Sequence, residues 1–344
     1  MAPVANKTLI FKEWPGKGFP VPGKTMVWAE STIDLDTVPL NGGYLVKALV
    51  VSIDPYLRRR MNPGIADFVI TSFNLNDPIV NFGVGVVLRS EHATIKAGDH
   101  IHDFLPFANY VVLPGPSPAN YTITNTLNLP WSNFTGVLGL AGKTAYYGWT
   151  EYASAKPGEV AFVSGAAGAV GAIVVQLAKA AGCKVIASAG TAEKCEYVKS
   201  LGADVVFNYK DTPTAQVLEK EGPVDVFWDN VGGEVLEAAV ENAAQQARIM
   251  ICGSIANYNA TNPYGVKNLQ LMLWREIHMY GFLMTRMEPK YAADFWQTWP
   301  AKVKSGEVKH KEHVVKGLDK AEDEIISILH GGNFGKSVLV IAED

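Results

Sequence analysis

The pattern of apolar and polar positions changes character near the middle of the chain. In the first third, short apolar runs alternate with turns such as Asn41-Gly42-Gly43 and Ala97-Gly98-Asp99. Such runs are typical of β-strands joined by tight turns, and they favour a small, irregular β-barrel. The predicted strands are Leu45–Ile53, Val84–Leu88, His100–Phe104 and Tyr110–Leu113.

In the second half the pattern becomes a regular alternation of strand and helix. The strands are short and continuously apolar, as in a parallel sheet that is buried on both faces. The alternation predicts an α/β fold with a doubly wound parallel sheet and right-handed crossovers. The predicted strands are Val160–Ser164, Lys184–Ala189, Val205–Asn208, Val224–Asp229, Arg248–Cys252 and His278–Leu283. The predicted helices are Val170–Ala181, Ala192–Leu201, Thr214–Lys220, Glu234–Ala244 and Asn268–Arg275.

Two domains are expected in 344 residues, because single cores stop growing near ~250 residues. Prolines cluster between Pro114 and Pro130 and indicate a domain junction there. We therefore predict a β-rich substrate domain over 1–131 and a nucleotide-binding domain over 132–309. After a helix near Lys290–Ser305, residues 310–344 are expected to return to the first domain and to end in a strand over Lys336–Ala342.

Composition narrows the classes of protein. With 48% hydrophobic and 19% charged residues the chain is typical of a globular protein, and a net charge of −4 argues against a nucleic-acid partner. The one basic run, Arg58-Arg59-Arg60, is interpreted as a solvated face or a phosphate-side anchor. Three cysteines are too few for a disulfide framework, and the N-terminus has no apolar signal segment. We expect a soluble, cytoplasmic protein.

One uncharged stretch, Val160 to Ala178, is long enough to suggest a membrane span. It contains Gly165, Gly168 and Gly171 in its first half and a helical pattern in its second. Two buried elements joined by a tight turn explain it better, so no membrane partner is expected.

This same stretch carries the strongest chemical signal. A buried strand ends at Ser164, and the segment to Gly171 matches G-x-G-x-x-G with Ala166 in the first position. In this arrangement Gly168 lets the backbone approach a pyrophosphate, and Gly171 lets the helix pack closely on the sheet. The amides and dipole at the helix start favour an anion. The alternative is a contact of small residues between helix and sheet.

The end of the next strand separates NAD from NADP. An NAD site usually has Asp or Glu about 20 residues after the glycines, to hold the ribose 2′-hydroxyl. Here Gly190 stands at that position, with Lys194 four residues further on. A lysine there suits a 2′-phosphate, so the sequence favours NADP(H), although Lys194 also fits a solvated helix residue.

Other chemistry has little support. Three cysteines at 183, 195 and 252 exclude a four-cysteine zinc lobe. His100 with His102 on one strand face, or His310 with His313 on one helix face, is a weaker metal candidate than an ordinary pair of histidines. No G-x-S-x-G motif occurs, which argues against a serine hydrolase.

The whole pattern resembles the medium-chain dehydrogenase/reductase superfamily. Within it, the chain is similar to the zinc-independent, NADPH-dependent alkenal/alkenone double-bond reductases, the leukotriene B4 12-hydroxydehydrogenase/prostaglandin reductase group. The resemblance covers nearly the full length. It rests on SIDPYLRRRM at 52–61, GLAGKTAYYG at 139–148, SGAAGAVG at 164–171, GTAEK at 190–194, FNYK at 207–210, DNVGGE at 229–234, CGSIANYN at 252–259 and GNFGK at 332–336.

The resemblance implies a GroES-like first domain, a Rossmann domain and no catalytic zinc, since Ile53-Asp54 stands where the zinc members carry a cysteine. It also implies NADPH contacts around the pyrophosphate, the 2′-phosphate, the adenosine side and the nicotinamide. These contacts are Gly168, Ala169, Val170, Gly171, Lys194, Tyr209, Asn230, Cys252, Gly253, Ser254, Ile255, Tyr258, Phe282, Leu283, Met284 and Asn333. Tyr56 is implied to wall the substrate pocket, with core packing as its alternative.

The chain departs from the family pattern in two places. Ala141 and Lys143 replace a proline and an apolar residue of the family's GMPGLTAY, and the stretch from Asn62 to Asn81 matches poorly. Since loops in that stretch are expected to cover the pocket, the sequence leaves the substrate preference open.

The implied reaction is conjugate reduction of an α,β-unsaturated aldehyde or ketone. Hydride reaches the β-carbon, and negative charge develops on the carbonyl oxygen as an enolate. A hydrogen-bond donor at that oxygen lowers the barrier, and Tyr258 is the candidate donor, with a cofactor wall as its alternative role. A quinone reductase and a non-catalytic, crystallin-like NADPH-binding protein are the competing functions. The family also implies a homodimer joined near His278–Leu283.

Overall fold

The structure, a computed structural model, describes residues 2–65 and 71–344. The chain forms two compact units: Met1–Gly139 with Glu312–Asp344, and Leu140–Lys311. The domain boundaries predicted from the sequence, after residues 131 and 309, lie slightly before the observed ones after Gly139 and Lys311. The first unit extends past 131 because the 3₁₀ helix Trp131–Thr135 packs on its strands, with Trp131 against Val50 and Val338.

The elements follow one another along both units. The strands are β1 (Val4–Phe11), β2 (Met26–Ile33), β3 (Tyr44–Ser52), β4 (Val80–Ser90), β5 (His100–Pro106), β6 (Tyr110–Leu113), β7 (Tyr121–Thr122), β8 (Val160–Val163), β9 (Lys184–Ala189), β10 (Val205–Asn208), β11 (Val224–Asp229), β12 (Ala243–Ile251), β13 (His278–Gly281), β14 (Glu312–Lys316) and β15 (Lys336–Val340). The helices are α1 (Leu57–Arg60), α2 (Leu140–Tyr152), α3 (Gly171–Ala180), α4 (Ala192–Ser200), α5 (Thr214–Glu221), α6 (Gly233–Glu241), α7 (Ile255–Tyr258), α8 (Leu271–Arg275), α9 (Met284–Ser305) and α10 (Ala321–Leu329).

The first unit is built on a seven-stranded sheet with the order β14-β15-β3-β4-β5-β7, in which β6 also pairs with β3. All pairs are antiparallel except β14 with β15. The tail enters this sheet through β15, whose Val338 pairs with Ser52 of β3. A separate hairpin of β1 and β2 carries Leu9, Phe11 and Met26 into the same buried core.

Two arginines of the basic run are buried, so the interpretation as a solvated face or phosphate anchor is wrong for them. Arg58 is 1% exposed, and its guanidinium donates to the carbonyl oxygens of Gly16 at 2.7 Å and Gly18 at 2.9 Å. Arg60 donates to the carbonyl of Val80 at 2.7 Å and lies over the ring of Phe73 at 4.1 Å. Only the middle arginine of the run is exposed. The two buried guanidinium groups hold the neighbouring backbone in place, because one guanidinium has five donors.

The second unit is a six-stranded sheet with the order β10-β9-β8-β11-β12-β13, and every neighbouring pair is parallel. This is the strand order of a doubly wound, dinucleotide-binding fold, as the sequence predicted. Stacked rings of Phe162 and Phe227, 4.8 Å apart, lie in its core with Leu218 and Ile249.

Several helices differ from the predictions. The helix predicted over Glu234–Ala244 ends at Glu241, because the chain already enters β12 at Ala243. The helix predicted near Lys290–Ser305 begins earlier, at Met284. It contains Pro289 beyond its first turn, although proline is usually confined to the first turn of a helix. Helix α2 was not predicted at all.

The uncharged stretch that resembled a membrane span consists of β8, a loop and most of α3. In the described parts of the chain, no helix combines the length and the apolar content that crossing a membrane requires. Of the poorly matched stretch from Asn62 to Asn81, residues 66–70 lie outside the described residues.

Candidate functional site

One edge of the parallel sheet collects the carboxyl ends of all six strands, because the strands run in the same direction. The strand order reverses between β8 and β11, which is where open α/β sheets bind their ligands. Most of the predicted site residues follow a strand at this edge. These are Gly168, Ala169, Val170, Gly171, Lys194, Tyr209, Asn230, Cys252, Gly253, Ser254, Ile255, Tyr258, Phe282, Leu283 and Met284.

The glycine-rich loop after β8 turns sharply and leads into α3. Gly165 has a positive φ of 59°, and the amide of Gly168 donates to its carbonyl at 3.0 Å. A Cβ at Gly171 would lie 2.6 Å from the Gly165 carbonyl oxygen and 2.8 Å from the Cα of Ala166. Position 171 therefore has no space for a side chain, as the sequence predicted for close packing.

The start of α3 leaves backbone donors open. No side chain caps this helix, and the first amides of a helix, here those from Ala169 to Gly171, have no acceptor within the helix itself. Gly168, Ala169 and Val170 are partly exposed, whereas the loop on either side is largely buried. Amides aligned at the positive end of a helix dipole form an anion-binding position.

A tyrosine ring covers the end of β9. A Cβ at Gly190 would lie 2.8 Å from the hydroxyl oxygen of Tyr209 and 3.0 Å from its ring. The amide of Tyr209 donates to the carbonyl of Ala189 at 3.1 Å, which fixes the two strand ends to each other. The position of the acidic residue in NAD sites is thus taken by glycine, with an aromatic face that is 49% exposed above it.

Two lysines lie close to this position. Thr191 caps α4 by accepting from the amide of Lys194 at 3.3 Å, and this places Lys194 in the first turn of the helix. Burial lowers the pKa of Lys194, and the positive charge of Lys210 lowers it further. The Lys194 ammonium therefore lies close enough to Lys210 to be repelled by it, while the carboxylate of Glu193 opposes this effect. Lys210 was not selected from the sequence, although it follows Tyr209 at the end of β10.

A buried carboxylate joins the loops that follow β8 and β11. Asp229 is 1% exposed, and its Oδ1 accepts from the amides of Val231 and Gly232 at 2.9 Å and from the Ser164 hydroxyl at 3.2 Å. Asn230 completes the junction, since its side chain donates to the Ser164 carbonyl at 2.6 Å. Asp229 and Ser164 were also missed, because a buried acid has no distinctive sequence spacing.

The segment after β12 runs beside this junction. The amides of Cys252 and Gly253 donate to the carbonyl of Asp229 at 2.9 and 3.0 Å. Burial raises the pKa of the Cys252 thiol to about 12, so it stays protonated at neutral pH. The segment then passes Ser254 and ends in the single helical turn α7, whose last residue, Tyr258, is partly exposed.

The segment after β13 is aromatic. The ring of Phe282 lies against Gly148, where a Cβ would come within 2.5 Å of it, and its centroid is 5.6 Å from that of Trp228. Trp228 in turn donates to the Asn230 side chain at 3.2 Å. Leu283 precedes α9, and Met284, 8% exposed, begins it. Phe282 is thus connected to Asn230 through Trp228.

Two predicted site residues belong to the first unit. Tyr56 lies at the start of α1, and its hydroxyl donates to the Asn81 side chain. Asn333 lies in the turn before β15, where its side chain donates to the carbonyl of Gly335 at 2.8 Å.

The histidine pairs considered as metal ligands are engaged otherwise. His100 binds the side chain of Asp344 at 2.8 Å, and His102 stacks on Tyr121. The helix imagined for His310 and His313 is wrong, because His313 lies on strand β14. Among the residues that the structure describes, no cluster of three His, Cys, Asp or Glu side chains could hold a metal.

Comparison with known proteins agrees with this architecture. The family model described as "Zinc-binding dehydrogenase" matches residues 169–299, and "N-terminal domain of oxidoreductase" matches residues 27–120. The 2-alkenal reductase (NADP(+)-dependent) of Nicotiana tabacum is 35% identical over 99% of both chains. Prostaglandin reductase 1 of Sus scrofa is 31% identical over 95% of this chain and 98% of its own.

Among solved structures, CurA in complex with NADPH from Vibrio vulnificus superimposes with a TM-score of 0.88 at 29% identity. The alignment covers 98% of this chain and 100% of CurA. Two family models and full-length relatives above 30% identity thus agree with a parallel sheet of Rossmann order and an antiparallel β unit. The chain belongs to the medium-chain dehydrogenase/reductase superfamily of oxidoreductases.

Proposed function

We propose that this oxidoreductase uses NADPH to reduce the carbon–carbon double bond of α,β-unsaturated aldehydes and ketones. The observation that carries the proposal is the edge of the parallel sheet. There, the uncapped start of α3, a glycine in place of the NAD-type carboxylate and two lysines follow the neighbouring strands β8, β9 and β10. The substrate class is supported by relatives named as 2-alkenal reductase and prostaglandin reductase.

The residues present fit NADPH part by part. The open amides of Ala169, Val170 and Gly171 suit the pyrophosphate. Lys194 and Lys210, with the exposed face of Tyr209, suit the 2′-phosphate, whose charge would offset their mutual repulsion. No carboxylate stands at the end of β9 itself to hold a free 2′-hydroxyl, since residues 188–191 are Ser-Ala-Gly-Thr, and Glu193 lies further on in the first turn of α4.

The remaining site residues suit the nicotinamide half. Asn230, held by Ser164 and Trp228, closes the floor of the crevice, and the segment from Cys252 to Tyr258 forms one side of it. Phe282 to Met284 supply an apolar side beside Asn230. A protonated Cys252 adds no charge to this half of the site.

When bound, NADPH supplies a hydride to the β-carbon of the substrate. The task of the chain is then to hold the substrate carbonyl and to stabilise the negative charge that grows on its oxygen. Tyr258 is the proposed donor to that oxygen, because a hydroxyl held in place stabilises the enolate more than it stabilises the neutral ketone. The proton for the α-carbon comes from Tyr258 or from water.

We also propose that the chain forms a homodimer through the outermost strand of the parallel sheet, β13. Among the strands in the described part of the chain, β13 is the outermost on its side of the parallel sheet, so its outer backbone is available to pair with a second copy. The neighbouring helix α8 exposes Leu273 at 73% and Trp274 at 72%, large apolar side chains that a monomer would leave in water.

The function is tested with a panel of enals, enones, quinones and secondary alcohols, each with NADPH and with NADH. We expect NADPH to be oxidised in the presence of enals and enones, with the saturated carbonyl as product. If quinones were reduced and enones were not, the protein would be a quinone reductase instead. Binding of NADPH without oxidation by any substrate would indicate a non-catalytic protein.

The 2′-phosphate contacts are tested by changing Lys194 or Lys210 to Ala. A charged hydrogen bond is worth ~1.5–3 kcal/mol, so each change should raise the KM for NADPH about tenfold to a hundredfold. The KM for NADH should stay constant because NADH has no 2′-phosphate. Lys199→Ala, an exposed change on the same helix, is the control. A wild-type protein that used NADH as well as NADPH would overturn this assignment.

The role of Tyr258 is tested with Tyr258→Phe. We expect kcat to fall about a hundredfold, as for loss of one oxyanion donor, while the Kd for NADPH measured by fluorescence stays constant. Tyr264→Phe is a matched control, because the Tyr264 hydroxyl is occupied by Glu237 at 2.8 Å. An unchanged kcat in Tyr258→Phe would remove this residue from the mechanism.

The assembly is tested by analytical ultracentrifugation of the wild type and of Trp274→Glu. The wild type should sediment at twice the chain mass of 37.2 kDa. A charge in place of Trp274 should shift it towards the monomer, since a buried carboxylate without a partner is costly. Leu75→Glu, at an exposed apolar position in the other unit, should leave the dimer intact. A monomeric wild type would refute the proposal.

A further inference from the structure

We propose that Lys336, a buried lysine at the start of β15, is a positioning residue that orients the side chain of Tyr56 through Asp54 and Asn81. This inference rests on the proposed function and on the role that the family resemblance implies for Tyr56, a wall of the substrate pocket. It assigns a task to the last residue of the GNFGK motif, which the proposed mechanism leaves unused.

The ammonium group of Lys336 is fully occupied. It is 4% exposed and donates to the carbonyl oxygens of Ile53 at 2.8 Å and Ser337 at 2.6 Å, while Asp54 Oδ1 lies at 3.2 Å. An ammonium has three donors, and each has an acceptor here. Burial lowers the pKa of Lys336, and the negative charge of Asp54 opposes that effect.

The carboxylate of Asp54, held by Lys336, in turn binds the side chain of Asn81. Its second oxygen, Oδ2, accepts from the Ser52 hydroxyl and from the Asn81 amide nitrogen at 3.1 Å. The same amide nitrogen also donates to the carbonyl of Ser52 at 2.8 Å. Both amide hydrogens of Asn81, which is fully buried, are therefore used on one side. The amide cannot turn over without losing both bonds.

The fixed amide decides what the Tyr56 hydroxyl can do. Asn81 Oδ1 faces Tyr56 as an acceptor, and the hydroxyl donates to it. Burial raises the pKa of Tyr56, and the nearby Asp54 raises it further against the opposing effect of Arg60, so the hydroxyl stays protonated and remains a donor. Because the hydroxyl is tied inward, the partly exposed ring is the face of Tyr56 that remains for a ligand.

Removing the Lys336 ammonium would disturb the contacts that connect Asp54, Asn81 and Tyr56. Asp54 would then be a buried carboxylate without a countercharge, which favours its protonation. A protonated Asp54 binds the Asn81 amide nitrogen more weakly, so that nitrogen keeps only its bond to the Ser52 carbonyl at full strength and the amide turns towards Tyr56 more readily. The tyrosine hydroxyl would lose its acceptor, and the ring would lose its fixed orientation.

The experiment is a double-mutant cycle with Lys336→Met and Tyr56→Phe, assayed with an enone and NADPH. Lys336→Met alone should lower kcat/KM about tenfold or more, as expected for a small misplacement of a positioned group. In the Tyr56→Phe background the same change should have an effect of less than about twofold, because the two residues act as one unit. The Kd for NADPH should be the same in all four proteins.

Ser337→Ala is the matched control. Ser337 is the next residue on β15 and is also buried, but its hydroxyl donates to Glu324 at 2.7 Å on a different side. This change should cost stability without lowering kcat/KM more than about twofold. If Lys336→Met does not fold, Asn81→Ala breaks the same chain without leaving a buried charge unpaired, and it should show the same dependence on Tyr56.

The outcomes separate the two proposals. A wild type that does not reduce enones overturns the proposed function itself. An active wild type in which Lys336→Met has no effect overturns the positioning role. So does an equal effect of Lys336→Met with and without the Tyr56 hydroxyl, because Lys336 would then support the fold and not act through Tyr56.

Discussion

The common direction of six strands is the constraint on which the proposed chemistry depends. Because every neighbouring pair in the sheet is parallel, each strand delivers its following segment to the same edge. Residues as far apart in sequence as Gly171 and Met284 therefore lie at that edge without any direct signal between them. The reversal of strand order between β8 and β11 leaves a crevice there, because the following helices cover opposite faces of the sheet.

Packing at this edge is close enough that side chains are excluded at defined positions. Asp229 draws the loops after β8 and β11 together, and a Cβ at Gly232 would come within 2.6 Å of the Ser254 hydroxyl. Gly171 and Gly190 are restricted in the same way by Gly165 and Tyr209. Small residues at these points let the backbone itself form the surface that meets a ligand, which is why the glycine pattern carries information on its own.

The sequence predicted best where one physical effect dominates. The bounds of β9, β10 and β11 follow from apolar runs with polar ends, and the structure confirms them residue by residue. Strand β1 was missed because Asn6, Lys7 and Thr8 interrupt its apolar residues. Helix α2 was missed because it contains glycines, which are unfavourable inside helices. Spatial neighbours such as Lys210 and Asp229 depend on which strands are adjacent, and no spacing along the chain shows that.

Buried polar groups in the two units differ in whether they satisfy each other. In the first unit, Lys336, Asp54 and Asn81 bond to one another and to the neighbouring backbone, so this buried group is held in place from several sides. In the second, Lys143, which replaces an apolar residue of the family pattern, is likewise occupied by Glu288 at 2.5 Å. The amides at the start of α3 are different, because they are ordered and have no acceptor within their own helix. Donors that are held in place for an external acceptor mark where an anion would bind, whereas polar groups with partners inside the protein hold the fold.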